Sequence, residues 1–211
     1  MINISTKDEL LNKLRNYTIT PDDNNIRYKE KIRSILLNNA ELLYALNNKD
    51  LESELFDDNG NLIIDENYNL IGEVEKYFGD DSNIRPYLFL PNNQTEVKHY
   101  ICYQVMFDEF PKNSNIQKYT EITFSIFVDR RDITDKLTGI PRHDLIASII
   151  RETFNWSNIF GIQTHLISSK ESTTDNNYIV RTLVFQITDL NGITYTPGGR
   201  TNGMVINKLG R

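Results

Sequence analysis

Cysteine is nearly absent from this chain: one residue, Cys102, in 211. No disulfide can form within the chain, and no zinc site built from several cysteines is available. Cys102 falls inside a strand pattern, where a small buried residue is the expected role. Histidine is scarce as well. His99, His143 and His165 stand far apart, with no His-x-x-x-His pair. A metal shared by His99 and His165 on neighbouring strands has no ligand spacing to support it, and His143 is expected to be solvated. Positive charge is in short supply, with 23 Lys and Arg against 29 Asp and Glu and a net charge of -6. That balance leaves no electrostatic footprint for nucleic acid and no polybasic patch for a membrane. No apolar run approaches the ~20 residues of a transmembrane helix. Residues 1–15 are too polar for a signal peptide, so the chain is expected to be made and kept in a reducing cytoplasm.

The signatures of catalysis are missing too. Pro197-Gly198-Gly199-Arg200 is glycine-rich but lacks the Gly-Lys-Ser/Thr ending of a phosphate-binding loop. There is no Gly-x-Ser-x-Gly elbow and no Cys–His pair. Asp57-Asp58-Asn59-Gly60-Asn61 resembles part of a calcium loop, yet its glycine is misplaced and no closing Glu follows at the right distance. A Mg²⁺ nuclease would gather carboxylates and a lysine at a strand end. Asp108, Glu109, Lys112 and Asp129 lack the strand-borne Asp/Glu-x-Lys spacing, so a solvated charged turn is the simpler reading. No catalytic, cofactor-binding or metal-ligating residue is assigned. The chain is expected not to be an enzyme and to need no cofactor.

What is present is pattern. Apolar residues make up 39% of the chain, enough for a core. Residues 100–107 place Ile101, Tyr103, Val105 and Phe107 on one face. Residues 121–129 place Ile122, Phe124, Ile126 and Val128 on one face, with Thr123 and Ser125 opposite. A helix over 141–155 carries Leu145, Ile146, Ile149, Ile150 and Phe154 on one stripe. Two further strands follow at 162–167 and 178–188, joined by a polar and exposed loop over 168–177. The last strand aligns Ile179, Leu183, Phe185 and Ile187, and Arg181 interrupts that face. It must sit near the edge or pair with an acid. Residues 84–91 hold two prolines and read as an extended edge segment. Burying the five residues of the helix stripe is worth roughly 10 kcal/mol before entropy is counted.

The N-terminal region reads as helical. Thr6 and Glu9 form a capping box ahead of Leu10, Leu11 and Leu14 on one face. A second helix turns Tyr28, Ile32, Ile35 and Leu36 inward. Asn38 and Glu41 offer another capping box before Leu42, Leu43 and Leu46. Their joint core is small, so these helices are expected to lean on the sheet or on a neighbouring subunit. Asn59-Gly60 marks a hairpin pairing Phe56 with the 62–64 segment. A second turn signal lies at 68–72. The fold class expected is α+β: a small, mostly antiparallel β-β-α-β-β sheet with one packed helix, preceded by a helical region. The expected segmentation is 1–81, 82–190 and a glycine-rich arm at 191–211.

Phe124-Ser125-Ile126-Phe127-Val128, then the polar run from Asp132 through Gly139, Ile140 and Pro141 to Asp144, then the helix and a two-strand return, resemble tailed-phage tail-terminator and head–tail joining proteins. Arg27-Tyr28-Lys29-Glu30-Lys31-Ile32 and Leu42-Leu43-Tyr44-Ala45-Leu46 are similar to small phage neck proteins. The resemblance implies a structural virion protein made in the host bacterial cytoplasm. Such a protein forms a homo-oligomeric ring, usually a hexamer, that ends the tail tube and joins it to the head connector. Genome DNA would pass through without specific binding, as the negative charge would suit, and no membrane is involved. The alternatives are another neck or tail adaptor and, further off, a metal-dependent nuclease. Candidate interface residues are Arg130, Arg131, Asp132 and Lys136 in the loop, Arg181 on the last strand, and Arg200, Val205 and Ile206 in the arm.

Overall fold

Residues 6–19, 24–92, 95–107, 117–174 and 177–190 are described by a computed structural model. The helices α1 (Lys7–Ile19), α2 (Asn25–Leu37) and α3 (Ala40–Ala45) come first. The strands β1 (Ile84–Arg85), β2 (Tyr100–Phe107) and β3 (Gln117–Asp129) follow. Then come α4 (Arg142–Phe154), β4 (Thr164–Thr173) and β5 (Tyr178–Leu190). The strands form one open sheet in the order β1-β2-β3-β5-β4. Every pairing is antiparallel except the short β1–β2 contact. The fold is therefore the α+β class expected, with the 84–91 segment contributing a short fifth strand.

Period-two alternation explains the core. Ile101, Tyr103, Val105, Ile122, Phe124, Ile126, Val128, Leu183, Phe185 and Ile187 share one buried cluster with Ile146, Ile150 and Phe154 of α4. Aromatic rings knit its centre, with Phe124 5.0 Å from Phe154 and 5.8 Å from Phe185 between centroids. The helix stripe is rotated slightly from expectation. Ile146, Ala147, Ile150 and Phe154 are buried, whereas Leu145 and Ile149 are only partly covered. The 3.6-residue period identifies an apolar arc but not its centre, which the facing sheet decides.

The same cluster contains Tyr28, Ile32, Leu36, Leu42, Leu43 and Leu46. α2 and α3 thus lean on the sheet, and one core cluster takes in residues on both sides of positions 81 and 82. Polar ties reinforce this: Tyr103 Oη donates to Lys29 O at 3.1 Å, and Lys31 Nζ donates to Ile159 O at 3.0 Å. The Thr6–Glu9 capping box forms reciprocally, each backbone N–H meeting the other side chain at 3.2 Å. Leu10 and Leu14, placed on one face of this helix by their spacing, are 45% and 52% exposed. The cap starts α1, but packing leaves its leucine face outside the core. At α3 the cap is Asn39, whose Oδ1 accepts from Leu42 N at 2.9 Å, and not Asn38. Asn38 instead reaches across the chain, accepting from Leu70 N and donating to Asn69, both at 2.8 Å.

Between helices and sheet lies a short tandem repeat that sequence reading passed over. Phe-Asp-Asp-Asn-Gly-Asn-Leu-Ile at 56–63 is followed at once by Ile-Asp-Glu-Asn-Tyr-Asn-Leu-Ile at 64–71. Asp57 and Asp65 each accept the backbone N–H groups two and four residues on, at 2.8–2.9 Å. Gly60 and Tyr68 take the same left-handed position, with φ of 81° and 64°. The two turns stack through Ile63 N to Leu55 O and Ile71 N to Ile63 O. The expected Phe56–Leu62 pairing forms, and the second turn lies at 65–69, ahead of the expected 68–72.

Two strand boundaries differ from expectation. β3 begins at Gln117, four residues before the apolar alternation, because Gln117 to Thr120 pair with β5. Ser168 to Thr173 are strand and not loop, paired with β5 after a bulge at Ile167. These residues are polar because most of them are exposed, which hid the strand from a hydrophobicity pattern. The sheet's other face is apolar at one end. Tyr100, Cys102, Phe127, Tyr178 and Val180 form a second cluster under Phe89, and the Arg85 guanidinium lies 3.7 Å from the Phe89 ring centre. Burial pushes the Cys102 thiol up to about 11, so it stays protonated and inert at neutral pH.

Candidate functional site

The passage from the end of β3 into α4 was the leading interface candidate, and it divides into a buried half and an exposed half. Asp129, the N-cap of a single 3-10 turn at Arg130–Asp132, is 2% exposed. Its carboxylate accepts from Arg131 N and from the Arg131 guanidinium, the shortest contact being 2.6 Å. Arg131 also donates to the carbonyls of Thr95 and Glu96, strapping the 95–96 segment to the strand end. With its carboxylate so occupied, Asp129 is a structural cap. The remaining members of the acid–lysine set weighed for a nuclease, Asp108, Glu109 and Lys112, lie outside the described residues.

Asp132 faces inward, where it joins the N-terminal helices to the sheet. It accepts from Asn47 Nδ2 at 2.6 Å and from His99 Nε2 at 3.1 Å, and it pairs with Arg142 at 3.2 Å. Arg142, 3% exposed, also donates to Ala45 O at 2.9 Å and lies 3.5 Å from Asp135. His99 Nδ1 accepts from Asp129 N at 3.2 Å, which places the neutral ring's proton on Nε2, facing Asp132. Burial pushes the His99 imidazole below its ordinary value of 6.5, against the pull of Asp132. Burial also works to raise the Asp132 carboxyl. The hydrogen bonds from His99 and Asn47 and the Arg142 charge outweigh it, holding Asp132 below the usual carboxylate range. Asp129 is likewise lowered, its Arg131 bonds overcoming burial, and Asp135 is lowered by the Thr138 N–H.

These shifts share one sign. The unfolded chain takes up a proton at His99 before the folded chain does. That contribution to stability is complete above pH 6.5 and is lost as pH falls through the folded value. The three depressed carboxyls contribute fully above their ordinary 3.8 and lose it as pH falls through their folded values. Thermal melts are expected to be level from pH 6.5 up to the alkaline range where Cys102 ionises in the unfolded chain, and to decline steadily below pH 6.5. Each kcal/mol lost should appear as roughly 2–4 °C in Tm. A melting temperature that rises on acidification would contradict the buried, neutral His99.

A second polar cluster forms where α4 meets β4 and β5. Glu171 and Arg181 are direct cross-strand partners. Arg181 Nη1 lies 3.5 Å from Glu171 and 3.7 Å from Asp144, so the arginine on the apolar face pairs with acids as expected. His143 is 4% exposed and not solvated. Its Nε2 faces Glu171 at 3.4 Å and Asp144 at 3.7 Å. Sequence reading could not join Glu171 to this group, because the strand extension that carries it was read as loop.

The remaining candidates separate. Arg130 and Lys136 are exposed beside Leu137 and Ile140, which are 76% and 42% exposed. Arg200, Val205 and Ile206 lie outside the described residues. Two exposed aromatics were missed altogether. Tyr68 and Trp156 are 82% and 64% exposed, and both take left-handed backbone conformations that bulky residues seldom adopt. Trp156 stands edge-on to His165 at 4.4 Å. Among the described residues no helix is long and apolar enough to cross a membrane.

No curated protein matches the chain in sequence. The model of the YomW family matches residues 39–187. That span takes in α3, the tandem turns, β1 to β4, most of β5 and both polar clusters. It is more than half of the 211 residues, and the chain belongs to the phage-associated YomW family.

Proposed function

We propose that the protein is a structural subunit of the phage virion that assembles into a ring at the neck, ending the tail tube and joining it to the head connector. The observation that carries this reading is the open sheet of a phage-associated chain. Its outermost strand, β4, is ten residues long and pairs on one side only among the described residues. An unpaired strand edge presents a row of backbone donors and acceptors that another chain can complete. Ile167, at the bulge of that edge, is 50% exposed. Exposed Leu137 and Ile140 add apolar surface at the 133–141 loop.

Light scattering and negative-stain imaging of the purified chain test this. A closed ring of about six subunits is expected, and Ile167→Asp should shift it towards monomer. A strictly monomeric chain at high concentration that also fails to bind tail tubes would overturn the proposal.

A further inference from the structure

We infer that His143, Asp144 and Glu171 form a binding site for a divalent transition metal ion of the zinc class. Their ligand atoms all lie within 4.8 Å of one another. Two ligands of a tetrahedral zinc, each at 2.0–2.2 Å, stand roughly 3.3–3.6 Å apart. His143 Nε2 is 3.4 Å from Glu171 and 3.7 Å from Asp144, so both carboxylates lie beside one imidazole nitrogen and small side-chain rotations would bring the three to ligating distance. The donor set, one imidazole and two carboxylates, is one that zinc accepts, with water completing the fourth position.

The state of the histidine singles this cluster out. His143 has a side chain only 5% exposed, yet neither carboxylate contact at Nε2 is a hydrogen bond, and buried Nδ1 has no partner. A buried imidazole without hydrogen bonds is uncommon, since each buried polar atom left unmatched is destabilising. The ring's Nε2 lies against the two carboxylates. A metal ion would anchor the ring that nothing else holds.

Arg181 is the competitor. Its Nη1 neutralises part of the two carboxylates from 3.5 and 3.7 Å, and its buried Nε has no hydrogen-bond partner. The guanidinium is therefore imperfectly held and can yield to a metal. Three protein ligands, a competing cation and an unpartnered Nδ1 hold the affinity below that of a four-ligand structural zinc site. Binding would clamp β4, through Glu171, to the first turn of α4. This inference stands apart from the ring proposal, because one isolated subunit supplies every ligand.

Isothermal titration of the full chain, stripped with chelator, tests it with Zn²⁺, Ni²⁺ and Mg²⁺ as separate probes. One Zn²⁺ or Ni²⁺ per subunit is expected, with no Mg²⁺ binding at the same concentrations. Glu171→Gln sits on a half-exposed side chain and should fold normally, verified by circular dichroism. It is expected to weaken zinc binding at least tenfold, as is His143→Asn. Arg181→Gln should bind more tightly, and His165→Asn should bind as the parent does. Absence of zinc binding up to millimolar concentration would overturn the inference. So would equal binding by the parent, Glu171→Gln and His143→Asn, which would place the ion elsewhere.

Discussion

Phe124→Ala is expected to lower the stability of this protein by about 3–5 kcal/mol. Phe124 is fully buried at the centre of β3. Its ring contacts those of Phe154 in α4, Phe185 in β5 and, at 6.2 Å, Tyr103 in β2. One residue thus touches three core elements at once. Removing the ring forfeits its transfer free energy and leaves a cavity that aromatic neighbours, fixed by backbone pairing on both sides, cannot collapse to fill. A typical domain holds only about 5–15 kcal/mol in total, so most of the margin would go. Urea titration should show the loss as a lower midpoint with an unchanged slope. Phe124→Leu should lose much less. A Phe124→Ala loss under about 1 kcal/mol would mean that the helix and sheet are not in the contact described.

Arg142→Ala is expected to lower stability by a similar 3–5 kcal/mol, through electrostatics instead of packing. The side chain is 3% exposed and meets Asp132, Asp135 and the carbonyl of Ala45. Deleting it leaves the half-buried Asp132 beside Asn47 and His99 with its main counter-charge gone. The distinguishing readout is hydrogen exchange. Protection should drop together in α3 and the 129–142 passage, because Arg142 and Asp132 tie those segments to each other. The acid limb of the stability profile should also become shallower, since Asp132 would no longer be held as low. A variant that loses stability but keeps both features would show Arg142 to be a packing residue only.

The elements legible in the sequence were those whose burial leaves a period. β2, the second half of β3, α4 and most of β5 alternate or repeat apolar residues with few exceptions, because each has one face against the core. The elements that were missed or cut short carry polar residues in regular structure. Gln117 to Thr120 and Ser168 to Thr173 take strand form through backbone pairing with β5, and a hydrophobic pattern cannot report hydrogen bonds to a partner strand. The tandem turns at 56–71 are visible in the sequence as a repeat of Asp, Asn and Leu-Ile at a spacing of eight, but composition places the second turn at 68–72 and not at 65–69. In the second copy Tyr68 occupies the position of Gly60, which disguises the turn.

The candidate site followed the same division. The sequence pointed to residues 130–140 as a polar passage between strand and helix, and to Arg181 as a charge needing an acid. Local composition alone determined those statements. It also determined the α+β class, since amphipathic periods are local properties of the chain. Only the tertiary structure decided which of the charged residues face inward. Arg142 is buried and Asp132 half-buried because α3 closes over them, and His143 meets Glu171 because β4 extends past its apolar part to reach the start of α4. A side chain's partners depend on distances between elements far apart in the chain. No single-residue property carries those distances, which is why the absence of chemistry in the sequence did not foretell the two polar clusters in the fold.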